Sequence, residues 1–236
     1  MKIFKFGGAS VKDANGVKNI LNVLKHTGFD NTLIVVSAMG KTTNALERVV
    51  SSFFENKAQF SADLELVRNQ HHSIIKELYD AENKVITDKV NALFDGVLDF
   101  LKTTDSDDYS WVYDQVVSLG ELVSTTIISD YMQSQDIDNT WLDARKCIKT
   151  DAYYRDANLY WTDTEAAIQK EVAGKRTLVS QGFIASAPNG DTTTLGREGS
   201  DYSAAIFAYA LGADSVTIWK DVPGLLNGDP RKFDDT

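Results

Sequence analysis

From Asn44 to Gln135 the chain contains no proline, holds no convincing strand and repeats its apolar residues at helical spacing. Leu64, Val67, His71, Ile74, Ile75 and Leu78 trace one such face, and Val90, Leu93, Val97, Leu98 and Leu101 trace another. On either side of this stretch the pattern changes. Short apolar or β-branched runs at Ile3 to Phe6, Thr32 to Val36, Thr140 to Leu142, Thr177 to Ser180 and Ser215 to Trp219 read as buried strands. Helical patterns near residues 13 to 26, 163 to 173 and 200 to 211 lie between them. This alternation predicts an α/β chain: a three-layer αβα sandwich whose mainly parallel sheet is covered on both faces. The helical stretch at 44–135 reads as a lobe inserted after the second strand.

With 236 residues, 43% of them hydrophobic, the chain can bury one large core with an elaborated lobe. Its net charge of -10 argues against general nucleic-acid or membrane-surface binding, both of which need a basic face. Any phosphate site must therefore be a local basic spot. The single cysteine, Cys147, excludes an internal disulfide and a cysteine-based zinc cluster, and reads as a small core residue in a reducing compartment. His71 and His72 are adjacent, so they point to different faces of a helix, and no metal site is expected there. No stretch approaches the roughly 20 apolar residues of a membrane span, and no signal-peptide pattern opens the chain. A soluble, cytoplasmic protein is expected.

In open parallel sheets, ligands sit beyond the carboxyl ends of the strands. The first strand ends in Lys5-Phe6-Gly7-Gly8-Ala9-Ser10, which offers a cation, two glycines and the start of a helix, all suited to a phosphate. The spacing is not that of a Walker A loop. After the second strand comes Ser37-Ala38-Met39-Gly40-Lys41-Thr42-Thr43-Asn44, where Thr43 or Asn44 is the expected helix N-cap. After the fourth come Gln181-Gly182-Phe183, a hairpin-like stretch at Asn189-Gly190-Asp191, and Thr193-Thr194-Leu195-Gly196-Arg197-Glu198-Gly199-Ser200-Asp201. Ser200 is the expected cap of the helix that follows, and Asp201 suits its positive end. Arg197, in a glycine turn, can present its planar fork to a carboxylate or phosphate. The last strand leads into Lys220-Asp221-Val222-Pro223-Gly224-Leu225-Leu226-Asn227-Gly228-Asp229-Pro230-Arg231, a loop by its Pro and Gly content.

Four segments in this order, KFGGAS at 5–10, SAMGKTTN at 37–44, SLGE at 118–121, and TTLGREGSD at 193–201 followed by KDVPGLLNGDPR at 220–231, span almost the whole chain. On them the chain resembles the catalytic domain of aspartate kinases, in the amino acid kinase superfamily with its carbamate kinase-like fold. The resemblance implies transfer of the ATP γ-phosphoryl group to the side-chain carboxylate of L-aspartate. The product, 4-phospho-L-aspartate, opens the route to lysine or diaminopimelate, threonine and methionine. A carboxylate is already a nucleophile, so this chemistry asks for positioning and charge neutralisation rather than a general base.

The resemblance also implies roles. Lys5 and Asp201 are the expected catalytic pair, with Lys5, Gly7, Gly8 and Ser10 around the phosphoryl group. Arg197 is expected on the substrate α-carboxylate, Glu121 on its ammonium, and Ser37, Thr43 and Ser200 around the reacting side chain. Lys220, Asp221, Leu226 and Arg231 are expected to hold the nucleotide. ATP and Mg2+ are the implied cofactors, the ion bridging phosphates with no protein ligand named.

Three positions depart from the family pattern: Glu198 stands where glycine is frequent, Lys220 where threonine is, and Leu226 where tyrosine is. The chain stops at Asp234-Asp235-Thr236 just after the nucleotide loop, whereas aspartate kinases usually continue through more kinase domain and paired ACT domains, sometimes with a fused homoserine dehydrogenase. A catalytic domain over 1–236, cut short at its C-terminus, is therefore expected. Weak nucleotide binding and no feedback response to lysine or threonine follow from that expectation, with homo-oligomerisation reserved for the full-length parent. The alternatives are a kinase of the same superfamily acting on glutamate, N-acetylglutamate, carbamate or UMP, and a catalytically silent nucleotide-binding module on the same fold.

Overall fold

The computed structural model describes residues 1–79 and 81–220, together with Gly228 and Lys232. Five strands form a parallel sheet: β1 (Lys2–Phe6), β2 (Thr32–Val36), β3 (Thr140–Leu142), β4 (Leu178–Gln181) and, last in the chain, β7 (Ser215–Trp219). Their order across the sheet is β3-β4-β2-β1-β7. The expected strands are therefore all present, within two residues at each end. All five residues of β2 are buried, which explains why it reads as a continuous apolar run rather than an alternating one.

Alternate residues of these strands feed two separate cores. Phe4, Phe6, Ile34, Val36 and Val179 point into the larger. There they meet α1 (Ala14–Thr27) and the helical lobe, made of α2 (Thr42–Glu55), α3 (Phe60–Tyr79), α4 (Lys84–Thr103), α5 (Tyr109–Val117) and α6 (Leu119–Ser134). Ile3, Leu33, Val35 and Leu178 point the other way. They pack against the short α7 (Ala144–Cys147), α8 (Trp161–Val172) and α9 (Gly199–Leu211). The result is the expected three-layer sandwich, with the lobe lying wholly between β2 and β3.

The two apolar faces read in the sequence both turn inward. On α3 every named residue is buried, His71 included, its Nδ1 2.8 Å from the Val67 carbonyl and its ring against Phe94. On α4, Val90 and Leu101 are buried, while Leu93, Val97 and Leu98 are half-buried. Cys147 is fully buried, and burial pushes its thiol up to about 12, as befits an inert core residue.

Helix starts follow local chemistry, with two departures from expectation. Asp13 caps α1 by accepting from Gly16 N at 2.8 Å, and Asp108 caps α5 through Ser110 N and Trp111 N. For α2, however, the cap position is Lys41 rather than Thr43 or Asn44, and Thr42 turns its hydroxyl back to the Met39 carbonyl at 2.6 Å. For α9 the cap position is Glu198, in left-handed backbone at φ +59°, so Ser200 already lies inside the first turn. Both helices start at least two residues earlier than hydroxyl capping predicts, where backbone bonds from Gly40 N to the Gly8 carbonyl and from Gly199 N to the Gly196 carbonyl hold the entry. A separate antiparallel pair, β5 (Ile184–Ser186) and β6 (Thr192–Thr194), closes the hairpin around Asn189-Gly190. Unlike β3, these three-residue strands are rich in small or hydroxyl residues, IAS and TTT, so no apolar run marked them and only the turn was legible.

Candidate active site

The carboxyl ends of three central strands are level, since Phe6 pairs with Val36, and Val36 with Gln181. A cleft of about 650 Å³ opens beyond them. It is lined by Lys5, Gly8, Ser37, Thr43, Glu121, Arg197, Ser200 and Asp201 among others, so eight of the site residues expected from sequence come together in one place. Those eight belong to four segments spread from residue 5 to residue 201, and only the parallel sheet and the lobe make them neighbours.

Lys5 is carried on the face of β1 that looks toward α9, and it is almost fully buried. Its Nζ lies 2.6 Å from Asp201 Oδ1, while Lys220 Nζ approaches Asp201 Oδ2 at 3.3 Å. Burial tends to raise the Asp201 carboxyl, but the hydrogen bonds and charges of Lys5 and then Lys220 outweigh it and hold the group below its ordinary value. Gly7 sits beside this pair, close enough that a β-carbon there would lie 3.5 Å from Lys5 Nζ. Ser10 does not join the cleft lining. Its hydroxyl faces the Trp219 carbonyl at 3.5 Å, linking the start of the first loop to the end of β7.

Glu121 lies in the first turn of α6, and the SLGE segment shows why it is buried there. Gly120 presses on Ala38 so closely that an added β-carbon would stand 2.8 Å from the Ala38 Cβ. Ser124, one turn on, donates to the Ser37 carbonyl at 2.9 Å. Held against the loop after β2, Glu121 accepts from Ala38 N through Oε1 at 3.1 Å. Its Oε2 has no hydrogen-bond partner among the described residues. Burial pushes this carboxyl up to about 8, only partly countered by the Ala38 hydrogen bond. A buried carboxylate oxygen without a partner is costly, and a cationic donor in the cleft would relieve it.

Ser200 owes its place to Gly182, where an added β-carbon would meet the Ser200 Cβ at 2.6 Å, so the start of α9 rests on the end of β4. Arg197 is exposed at the mouth of the cleft. Asp221, Leu226 and Arg231, expected on the nucleotide, lie outside the described residues.

Two lining residues were not singled out from sequence, Tyr113 and Arg155, while Phe183 was named at the end of the fourth strand without a role. Phe183 stands two residues after β4, and its backbone is left-handed at φ +69°. Tyr113 is hidden inside the apolar pattern of α5. Arg155 sits in a polar segment without any periodicity, and sequence offers no signal for it. Behind the cleft, the fully buried Asp114 accepts from Arg155 N at 3.0 Å and Thr194 N at 2.9 Å through Oδ2, and from Thr194 Oγ1 at 2.8 Å through Oδ1.

A phosphate-sized cation site at the end of a parallel sheet, next to a buried carboxylate, defines a class rather than a single protein, and the comparisons agree with it. The family model described as the amino acid kinase family matches residues 1–236, and the chain belongs to that family. Within it, the chain is 32% identical over 237 residues to the lysine-sensitive aspartokinase 3 of Escherichia coli (strain K12), covering 97% of this chain and 51% of that protein. It is 30% identical to the chloroplastic bifunctional aspartokinase/homoserine dehydrogenase of Daucus carota, covering 98% of this chain and 26% of that one. The chain thus spans about half the length of the first relative and about a quarter of the second. The structure of E. coli aspartokinase III in complex with aspartate and ADP superposes with a TM-score of 0.88 at 31% identity, over 98% of this chain and 51% of that one. An isopentenyl phosphate kinase, at 15% identity and a TM-score of 0.51, shares the fold alone.

Proposed function

We propose that this chain is the catalytic domain of an aspartate kinase, which transfers the γ-phosphoryl group of ATP to the side-chain carboxylate of L-aspartate and releases 4-phospho-L-aspartate and ADP. The observation that carries the reading is Glu121: a buried carboxylate with one oxygen unpartnered among the described residues, opening into the same cleft as the Lys5–Asp201 pair. A free α-ammonium group is the natural partner for that oxygen. An N-acetylated or ammonium-free substrate leaves it unpaired, a mismatch that discriminates between substrates by several powers of ten. The solved relative bound to aspartate and ADP supports the same assignment.

In this reading the amino acid lies with its ammonium at Glu121, its α-carboxylate near Arg197, and its side chain directed past Ser37, Thr43 and Ser200 toward Lys5. Lys5, beside Gly7 and Gly8, neutralises charge that builds on the transferring group, and Asp201 keeps the lysine aimed. Lys220 extends the basic patch toward the nucleotide. No three His, Cys, Asp or Glu side chains gather into a metal cluster among the described residues, and both Asp201 oxygens face lysines. These residues would suit a magnesium ion held by nucleotide phosphates and water rather than by a protein ligand, and such an ion would supply charge neutralisation on those phosphates. Among the described residues no helix is long and apolar enough to cross a membrane.

The test is a hydroxylamine-trapping assay for the acyl phosphate, run on L-aspartate, L-glutamate, N-acetyl-L-glutamate and N-acetyl-L-aspartate with ATP. Hydroxamate is expected from L-aspartate alone. Turnover of the N-acetyl compounds at a comparable rate would remove Glu121 from substrate recognition and the reading with it.

A further inference from the structure

Arg155 combines features that an ordinary surface arginine does not. Its backbone is left-handed at φ +72°, a conformation that favours glycine, yet it carries a long side chain. Asp114 holds its backbone N–H, and the same carboxylate clamps Thr194 of β6. Its guanidinium lies 4.4 Å from the Tyr113 ring and 5.6 Å from the Tyr109 ring, with Nη2 3.6 Å from Glu47 Oε1. An exposed pair at that distance contributes little, so it does not account for a strained position.

The two arginines of the cleft arrive on loops that touch. Gly196, at φ +72°, packs against the Arg155-Asp156 segment, and a side chain there would collide with the Asp156 carboxylate and reach within 3.4 Å of the Arg155 carbonyl. Arg197 therefore starts from the residue next to that contact, and Arg155 from the other side of it. Arg155 also lies over the α2 face that carries Glu47 and, one turn earlier, Thr43, while Tyr113 beneath it feels the charges of both Arg155 and Glu121. Arg155 therefore lines the same cleft as Thr43, Tyr113, Glu121 and Arg197.

We infer that Arg155 is a second guanidinium of the amino-acid subsite, closing with Arg197 on the α-carboxylate of the substrate. The inference rests on the aspartate reading above. An α-carboxylate is attached to the same carbon as the ammonium, so the cation that holds it must open into the same cleft as Glu121, and Arg155 does. Two forks on one carboxylate also balance Glu121, Glu198 and Asp201, the carboxylates that face the same cleft.

The test is calorimetric titration of the full chain and its Arg155→Gln and Arg155→Gly variants with L-aspartate and with L-aspartic acid α-amide, alongside thermal unfolding. Both variants should bind L-aspartate roughly tenfold to a hundredfold more weakly, the range for losing a charged hydrogen-bond partner. Their affinity for the α-amide should stay at that of the wild type. Arg155→Gly should unfold no earlier than wild type, because glycine suits the backbone there, which separates a lost ligand contact from a damaged fold. Unchanged aspartate affinity in either variant, or equal weakening for both ligands, would overturn the inference alone. A wild-type chain that binds no aspartate would overturn the functional reading, and the inference with it.

Discussion

Lys5 Nζ and Asp201 Oδ1 lie 2.6 Å apart, joining the end of β1 to the first turn of α9 across nearly two hundred residues of chain. The lysine has a buried stem and an ammonium group at the edge of the cleft, so its charge is available to a ligand while its position is set by the carboxylate.

Replacing Lys5 by methionine keeps most of its volume and removes the charge. The rate of acyl phosphate formation should fall roughly hundredfold to thousandfold, as for other losses of a group that stabilises transition-state charge. The KM for aspartate should change little, because the amino-acid contacts lie elsewhere. Steady-state kinetics by hydroxylamine trapping give both numbers, and a large KM change with an intact kcat would contradict the assignment.

Glu121 predicts a pH effect with a definite sign. Its folded pKa is raised to about 8, above the ordinary 4.5, so the folded protein holds a proton that the unfolded chain has lost. The carboxylate therefore costs stability increasingly as pH rises from 4.5 through 8, on the order of a few kcal/mol at the upper end. Glu121→Gln should melt several degrees above wild type at pH 8, and lose aspartate binding. In the wild type, aspartate affinity should climb between pH 6 and pH 8 with release of a proton, which calorimetry in buffers of different ionisation enthalpy detects. A pH-independent affinity would argue that the ammonium binds elsewhere.

Asp114 ties the lobe to both loops that carry the cleft arginines. Removing its side chain in Asp114→Ala takes the acceptor from the half-buried Arg155 N and leaves the buried Thr194 N unpaired, at a cost of roughly 2–4 kcal/mol in denaturant unfolding. Burial also raises this carboxyl to about 6 from 3.8. Its contribution to stability thus declines as pH rises from 3.8 through 6, a slope that should be missing in Asp114→Asn. A variant as stable as wild type would show that the loops are held by other contacts.

Glu198 occupies a left-handed position at the mouth of the cleft and brings a negative charge beside Arg197. Glu198→Gly should be at least as stable as wild type, since glycine adopts φ +59° without strain. It should also bind aspartate several-fold more tightly, by removing a like charge from the path of a substrate that carries two carboxylates and a net charge of about -1. Thermal unfolding and calorimetric titration of this variant measure the two effects separately, and weaker aspartate binding would mean that Glu198 helps to form the site.

Sequence reading reached furthest where a residue's chemistry is local. The five parallel strands, the helices around them and the lobe were legible because short apolar or β-branched runs, and apolar residues at helical spacing, leave a pattern in the residues themselves. KFGGAS pointed to Lys5 by the same logic, as a cation at a strand end, whereas Glu121 reads by itself as an ordinary helix glutamate and was singled out only through the family resemblance of SLGE. The α2 and α9 caps were misplaced because backbone entry there is dictated by packed loops, not by a hydroxyl. The β5–β6 strands were missed because they are short and lack an apolar run, and Arg155 because nothing in Thr150 to Asn158 marks it.

The order of residues alone determined the alternation of strand and helix, the inserted lobe, and the types of charged group available to a site. Which of those groups meet was decided only by tertiary structure. Glu121 becomes a buried, raised carboxylate because Gly120 lets α6 press on the loop after β2, and Arg155 enters the cleft because Asp114 holds a strained backbone in place. Desolvation and close approach depend on what is packed nearby, and no local pattern records them.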